Sequence, residues 1–244
     1  MALRLRDDSD FKPLLDALAD ELVMAAIYFK LYQDLMEAKN GEYQREIGQS
    51  WTFWSLTLRS LIDATVYRIC KAYDHNKDSL NLKNFLELVR ERRDVFDQDT
   101  FRERLKDNPY VDSLAKDARF PDTAQLEADL EFVQVKSNPL VKRLVTWRDK
   151  FYAHRDPEHA LDPTAFDALL VTDVETLVKE GMRMINYYSS LYAATTHSNQ
   201  MVGRDDYLSV LKAVRERLER YEAEFQRELA RAMVADQSSP EVGR

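Results

Sequence analysis

A chain of 244 residues, 45% hydrophobic and 32% charged, is long enough to bury a large core and too apolar to stay disordered. Its net charge of −8 speaks against general nucleic-acid affinity, and it has no run of eighteen apolar residues from which to build a membrane span. The lone Cys70 excludes an internal disulfide framework and a cysteine-only metal cage. The charged start MALRLRDDSDFKPLLD lacks the apolar core of a secretion signal, so the expected location is the cytoplasm.

Only 5 glycines and 7 prolines are available to break the chain, which argues for long helices joined by few connections. Asp10 can cap a first helix starting near Lys12, with Pro13 in its first turn and Asn40-Gly41 as its stop. A second long helix is expected over 43–73. Its apolar positions Ile47, Trp51, Trp54, Leu58, Leu61, Ile62 and Ile69 recur at steps of three and four, and its tryptophans are expected in the core. The stretch DHNKDSLN then interrupts the pattern. Asn81 caps a shorter helix over 82–95, and a further one is expected at 100–107. NP at 108–109 and FPD at 120–122 mark loops, and 123–134 reads as another helix.

Asn138-Pro139 is a strong start signal, cap followed by first helical residue, for a helix carrying Leu140, Leu144, Trp147 and Phe151 on one stripe. Asp156-Pro157 ends it. Thr172 with Glu175 suggests a capping box for a helix over 173–196. The last helix, 205–234, places Leu211, Val214, Leu218, Tyr221 and Phe225 at alternating steps of three and four, and can pack on the bundle or across a dimer. No strand-like alternation and no internal repeat occur. The expectation is an all-α protein: a bundle of long antiparallel helices over 1–204 with a small helical insertion at about 75–137. The long C-terminal amphipathic helix over 205–235 and a loose tail over 236–244 complete it.

One stretch concentrates chemistry. "TWRDKFYAHRDPEH", residues 146–159, holds Arg148, Asp149, Lys150, Tyr152, His154, Arg155, Asp156 and Glu158 between aromatic anchors. Lys142, Arg143, Arg148, Lys150 and Arg155 against Asp149 alone make 142–155 a basic island on an acidic chain. On an ideal helix Arg148 and His154 point roughly 120° apart and lie about 9 Å apart along the axis. They can therefore meet only if the helix ends early or a second copy supplies the partner. The structural alternative is a histidine in the last turn, where a cation suits the helix dipole, beside a surface ion-pair arginine. Spacing alone is a weak signal, since Arg68 and His75 satisfy the same count. His154, Asp156, Glu158 and His159 include metal-ligand types, but in no recognised pattern, and no metal or other cofactor is expected.

Arg148-Asp149 followed by His154 resembles the signature of the HEPN superfamily: an arginine, a polar residue, then a histidine after four to six positions. Arg68 departs from it, because Ile69 follows. "LTLRSLIDATVYRICKAYDHNKDSLNL" at 56–82 and "LVTWRDKFYAHRD" at 144–156 resemble, more closely, the AbiU-type abortive-infection branch of that superfamily. The resemblance runs from about residue 10 to 200 and leaves the helix from 205 onward unmatched.

What the resemblance implies is a metal-independent endoribonuclease acting as a homodimer in a prokaryotic phage-defence or toxin–antitoxin system. Its RNA would be tRNA or single-stranded, with an antitoxin or defence protein as a further partner. Cleavage by a ribose 2′-hydroxyl needs a base, an acid and a cation on the phosphate. Histidine can serve as acid or base and arginine can grip two phosphate oxygens. His154 and Arg148 are therefore the expected catalytic pair, with Asp149 orienting one of them. Lys150, Tyr152, Arg155 and Arg143 are expected to contact RNA. Arg59 and Asp63, one turn apart, read as a structural pair. The competing reading is a non-catalytic helical dimer that binds a partner protein or nucleic acid.

Overall fold

The computed structural model describes residues 8–116, 119–152, 161–162 and 167–237. Among them are ten α-helices and no strand, so the fold is all-α as expected. In chain order the helices are α1 (Phe11–Asn40), α2 (Gln44–Gly48), α3 (Trp51–Ala72), α4 (Leu82–Glu91) and α5 (Gln98–Arg104), then α6 (Val111–Leu114), α7 (Thr123–Phe132), α8 (Pro139–Trp147), α9 (Val171–Ala193) and α10 (Asp206–Gln237). The chain divides into two compact units, Met1–Tyr32 with Arg59–Gln200 and Gln33–Leu58 with Met201–Arg244.

The first unit is organised around aromatic side chains. Phe11 lies edge-on to Phe96 at 5.4 Å and against Tyr192 at 4.8 Å between ring centroids. Phe85, Tyr188, Leu144 and Leu177 are buried in the same cluster. Each large side chain removed from water there contributes about 1.5–3 kcal/mol. α9 approaches α1 closely at Gly181, where a Cβ would come within 2.6 Å of Leu22 Cδ2. The buried Tyr73 hydroxyl, which a bare apolar core would leave unsatisfied, donates to the Leu177 carbonyl at 2.7 Å.

Polar side chains hold the segment 97–122, where a helix is expected at 100–107 and α5 runs over Gln98–Arg104. Arg104 donates to the carbonyls of Tyr192 at 2.5 Å and Val95 at 2.6 Å, and its guanidinium covers the Tyr192 ring. Arg119 is buried, donates to the carbonyls of Leu114 at 2.9 Å and Ser190 at 2.8 Å, and lies over Phe101. Asp129 in α7 is 1% exposed and accepts from Gln125 Nε2 (2.8 Å), Arg183 (2.5 Å) and the Tyr188 hydroxyl (3.0 Å). Short helices with little apolar pattern of their own are thus tied to α9 by charge-assisted hydrogen bonds.

In the second unit α2 meets α10. Arg215 forks onto Glu46 and Glu42, at 2.7 Å each, and covers the Tyr43 ring. Arg45 pairs with Glu222 at 2.6 Å and Arg204 with Asp34 at 3.3 Å. Here the helix expected over 43–73 is two helices, interrupted at Gln49-Ser50 after Gly48. Trp54 is buried as expected, but Trp51 is 52% exposed, with the Lys39 ammonium 4.9 Å above its ring. Among the described residues no helix is long and apolar enough to cross a membrane.

Candidate active site at the Arg148 turn

α8 begins as the sequence suggests. Asn138 accepts from the Leu140 amide at 2.9 Å, and Pro139 fills the first helical position. Asn138 also donates to the Phe132 carbonyl at 2.7 Å, fastening the helix start to the end of α7. Val141 and Leu144 face the core. At Arg148 the helix widens into a π turn that runs to Tyr152. Such turns carry an i→i+5 bond and are frequent at functional sites. Trp147 and Phe151 stack across it, 4.1 Å between centroids and 13° between planes, and the Trp147 indole N–H donates to the Asp167 carbonyl at 2.8 Å. The ideal α-helical projection that separates Arg148 from His154 therefore fails from residue 148 onward.

Arg148 is held by two carboxylates. One amino group pairs with Asp74, while Nε donates to Asp149 at 2.8 Å. Asp149 is half exposed, whereas Asp74 and Arg148 are mostly covered. Asp74 follows α3 and is itself fixed: it accepts from the Ser79 hydroxyl at 3.0 Å and from the His75 amide at 2.8 Å. The loop behind it is rigidly bonded. Asn81 caps α4 through the Asn84 amide at 2.9 Å, and the Asn81 and Asn84 side-chain amides both donate to the Asn76 carbonyl.

The electrostatics follow from these contacts. Burial pushes the Asp74 carboxyl upward, but the hydrogen bonds from Ser79 and Arg148 outweigh it and hold the group below its ordinary 3.8. Burial opposes the charge on Arg148, and Asp149 and Asp74 overcome it, raising its pKa. Cys70, buried nearby, is pushed to about 12 and is an inert thiol at neutral pH. His75 is depressed, by burial first and by Lys83 next, and its Nε2 lies 3.0 Å from the Val133 carbonyl. A carbonyl only accepts, so Nε2 carries a proton and donates it to Val133.

Because the native Asp74 pKa lies below the unfolded value, the pair stabilises fully above about pH 4 and loses its contribution as pH falls through the native pKa. Asp74→Asn is expected to cost about 2 kcal/mol at pH 7. In urea unfolding the gap between wild type and variant should shrink at pH 3. A gap that stays constant between the two pH values would mean the ion pair carries no stability.

The remaining expected residues divide. Arg143 pairs with Asp173, which also accepts the Leu170 amide at 2.9 Å, so the start of α9 is set by Asp173 and not by the expected Thr172–Glu175 box. α9 accordingly opens at Val171. Lys150 lies half-buried in the π turn beside Asp149. His154, Arg155 and the side chain of Tyr152 lie outside the described residues, as do the expected helix stop at Asp156-Pro157 and the loop to His159. Arg59 donates to Asp63 at 2.8 Å as a surface pair. Arg68 pairs with Glu21, so the second Arg–His spacing does not form a site of its own. No spacing or cap in the sequence singles out Asp74, which lies within the AbiU-like stretch at 56–82. Among the described residues no group of three or more His, Cys, Asp or Glu is arranged to hold a metal.

The strand-free helical fold of the described residues, with an Arg–Asp pair at the end of a late helix, is consistent with a HEPN-type domain. The family model for AbiU2 matches residues 8–213, most of the chain and the first turns of α10. The chain belongs to the AbiU2 family of HEPN-type abortive-infection proteins. No curated protein and no solved structure matches it.

Proposed function

We propose that this protein is a metal-independent endoribonuclease of phage defence, with a composite site formed by two copies. The observation that carries the reading is Arg148, presented from a π turn and oriented by Asp74 from a separate, rigid loop. Asp74 fixes one edge of the guanidinium. The half-exposed Asp149 occupies the other, and an RNA phosphate would displace it there, gaining two parallel N–H···O bonds. The 2′-hydroxyl then attacks the adjacent phosphorus as His154 of one copy takes its proton. The bond to the 5′-oxygen breaks as the partner's His154 returns a proton to it, leaving a 2′,3′-cyclic phosphate. Lys150, Arg155, Arg143 and Tyr152 are assigned to RNA contact, and the site acts on tRNA or single-stranded RNA in the cytoplasm.

The neutralisation of Arg148 by two carboxylates favours a second reading, a non-catalytic dimer in which the pair is structural. Incubating the purified protein with total RNA and with tRNA in EDTA separates the two. The nuclease reading expects cyclic-phosphate ends from wild type and none from His154→Ala, with His75→Ala retaining cleavage. Intact RNA from wild type decides for the binding reading, and equal cleavage by wild type and His154→Ala removes His154 from the chemistry.

A further inference from the structure

The apolar stripe of α10 continues well beyond the part that the rest of its unit covers. Leu211 is fully buried, and Val214 and Leu218 are half-buried. Further along the same face Tyr221, Phe225, Leu229 and Met233 are 54%, 62%, 45% and 59% exposed. At 100° per residue the stripe from Leu211 to Met233 stays within about 120° of helix surface. Every residue from Glu219 to Val234 is exposed, so among the described residues this half of the helix buries no side chain, although Glu222 pairs with Arg45 at its start. A helical segment of that length is marginal in water on propensity alone. Its apolar face needs a cover.

We propose that the distal half of α10 is a self-association surface, which pairs antiparallel with the same stretch of a second copy about a two-fold axis level with Arg227. The charges beside the stripe are the argument. On one flank, Glu224 and Glu228 lie between Arg217 and Arg231. In the antiparallel register that places Phe225 against Leu229 and Tyr221 against Met233, Glu224 meets Arg231 of the other copy. The two-fold axis repeats this pairing on the other side. A membrane surface is the poorer occupant, because Glu222, Glu224, Glu228 and Asp236 outnumber the arginines of this half-helix, and the cytoplasmic leaflet is anionic. Four such side chains per copy cover on the order of 1,000 Å² in total, at the lower edge of specific interfaces. The pairing is therefore expected to be weak and concentration-dependent. It rests on α10 alone and does not depend on nuclease activity.

Sedimentation of the full chain from about 1 to 100 μM tests it. The expected result is a mass average that rises with concentration in wild type and is lower at each concentration in Phe225→Glu/Leu229→Glu. Arg231→Glu is expected to weaken association about 3- to 10-fold, and Glu224→Arg/Arg231→Glu to restore it. Any association through the Arg148 site adds equally to all four proteins and leaves these differences intact. A monomeric wild type at 100 μM, a mass unchanged by Phe225→Glu/Leu229→Glu, or a charge swap that fails to restore association would each overturn the proposal.

Discussion

Arg148→Ala is expected to lower the rate of RNA cleavage by about 100- to 1,000-fold while leaving the protein folded. The rate loss follows from what the guanidinium supplies. In the proposed nuclease it would offer two donors on one edge to phosphate oxygens whose charge grows in the transition state, from a position that the Asp74 ion pair holds. The fold survives because the loop carrying Asp74 keeps its Ser79, Asn81 and Asn84 hydrogen bonds without Arg148. Arg148→Lys preserves the charge and loses the paired geometry, so it should remain at least about tenfold below wild type. Single-turnover cleavage of a tRNA, with circular dichroism on the same samples, measures both. Cleavage by Arg148→Ala within threefold of wild type would remove the phosphate-clamp role.

Asp129→Ala carries the largest expected cost in stability, about 3–5 kcal/mol. Asp129 is almost wholly enclosed, and three donors converge on it. Removing the carboxylate takes the acceptor from the buried Tyr188 hydroxyl and leaves Glu180 as the carboxylate paired with Arg183 among the described residues. For a chain of this size such a loss lowers the melting temperature by about 10 °C. Asp129→Asn keeps the shape and one acceptor oxygen and should fall between the two. Thermal unfolding followed by circular dichroism ranks the three proteins, and a variant melting within 2 °C of wild type would contradict the account.

The helical framework was legible because its signals are local. Asn81 and Asn138-Pro139 announce helix starts by the chemistry of a single cap, and the spacing along α1 and α3 follows the helical period. Where a competing local effect intervened, the reading failed. Gly48 with Gln49-Ser50 broke a pattern that looked continuous, and Trp51, the first residue of α3, stands in solvent. At the start of α9 the Arg143–Asp173 pair displaced a box that the letters alone suggested. The site divides in the same way. Arg148 and Asp149 stood out as a dense functional stretch, but Asp74 lies 74 positions earlier. No periodicity joins two side chains that distant, and only the fold brings them together. Nothing in the letters marks a π turn.

The π turn at Arg148–Tyr152 has a consequence for how this segment tolerates change in length. A widened turn holds one residue more than an α-turn needs, so it acts as slack in an otherwise fixed ladder. Losing one residue between Arg148 and Tyr152 can close the bulge into regular helix, with α8 and its buried Val141 and Leu144 undisturbed. The same loss inside α8 rotates every later side chain by about 100° and pulls that face out of the core. A shortening by one residue between Arg148 and Tyr152 is therefore what this backbone can absorb without moving the arginine.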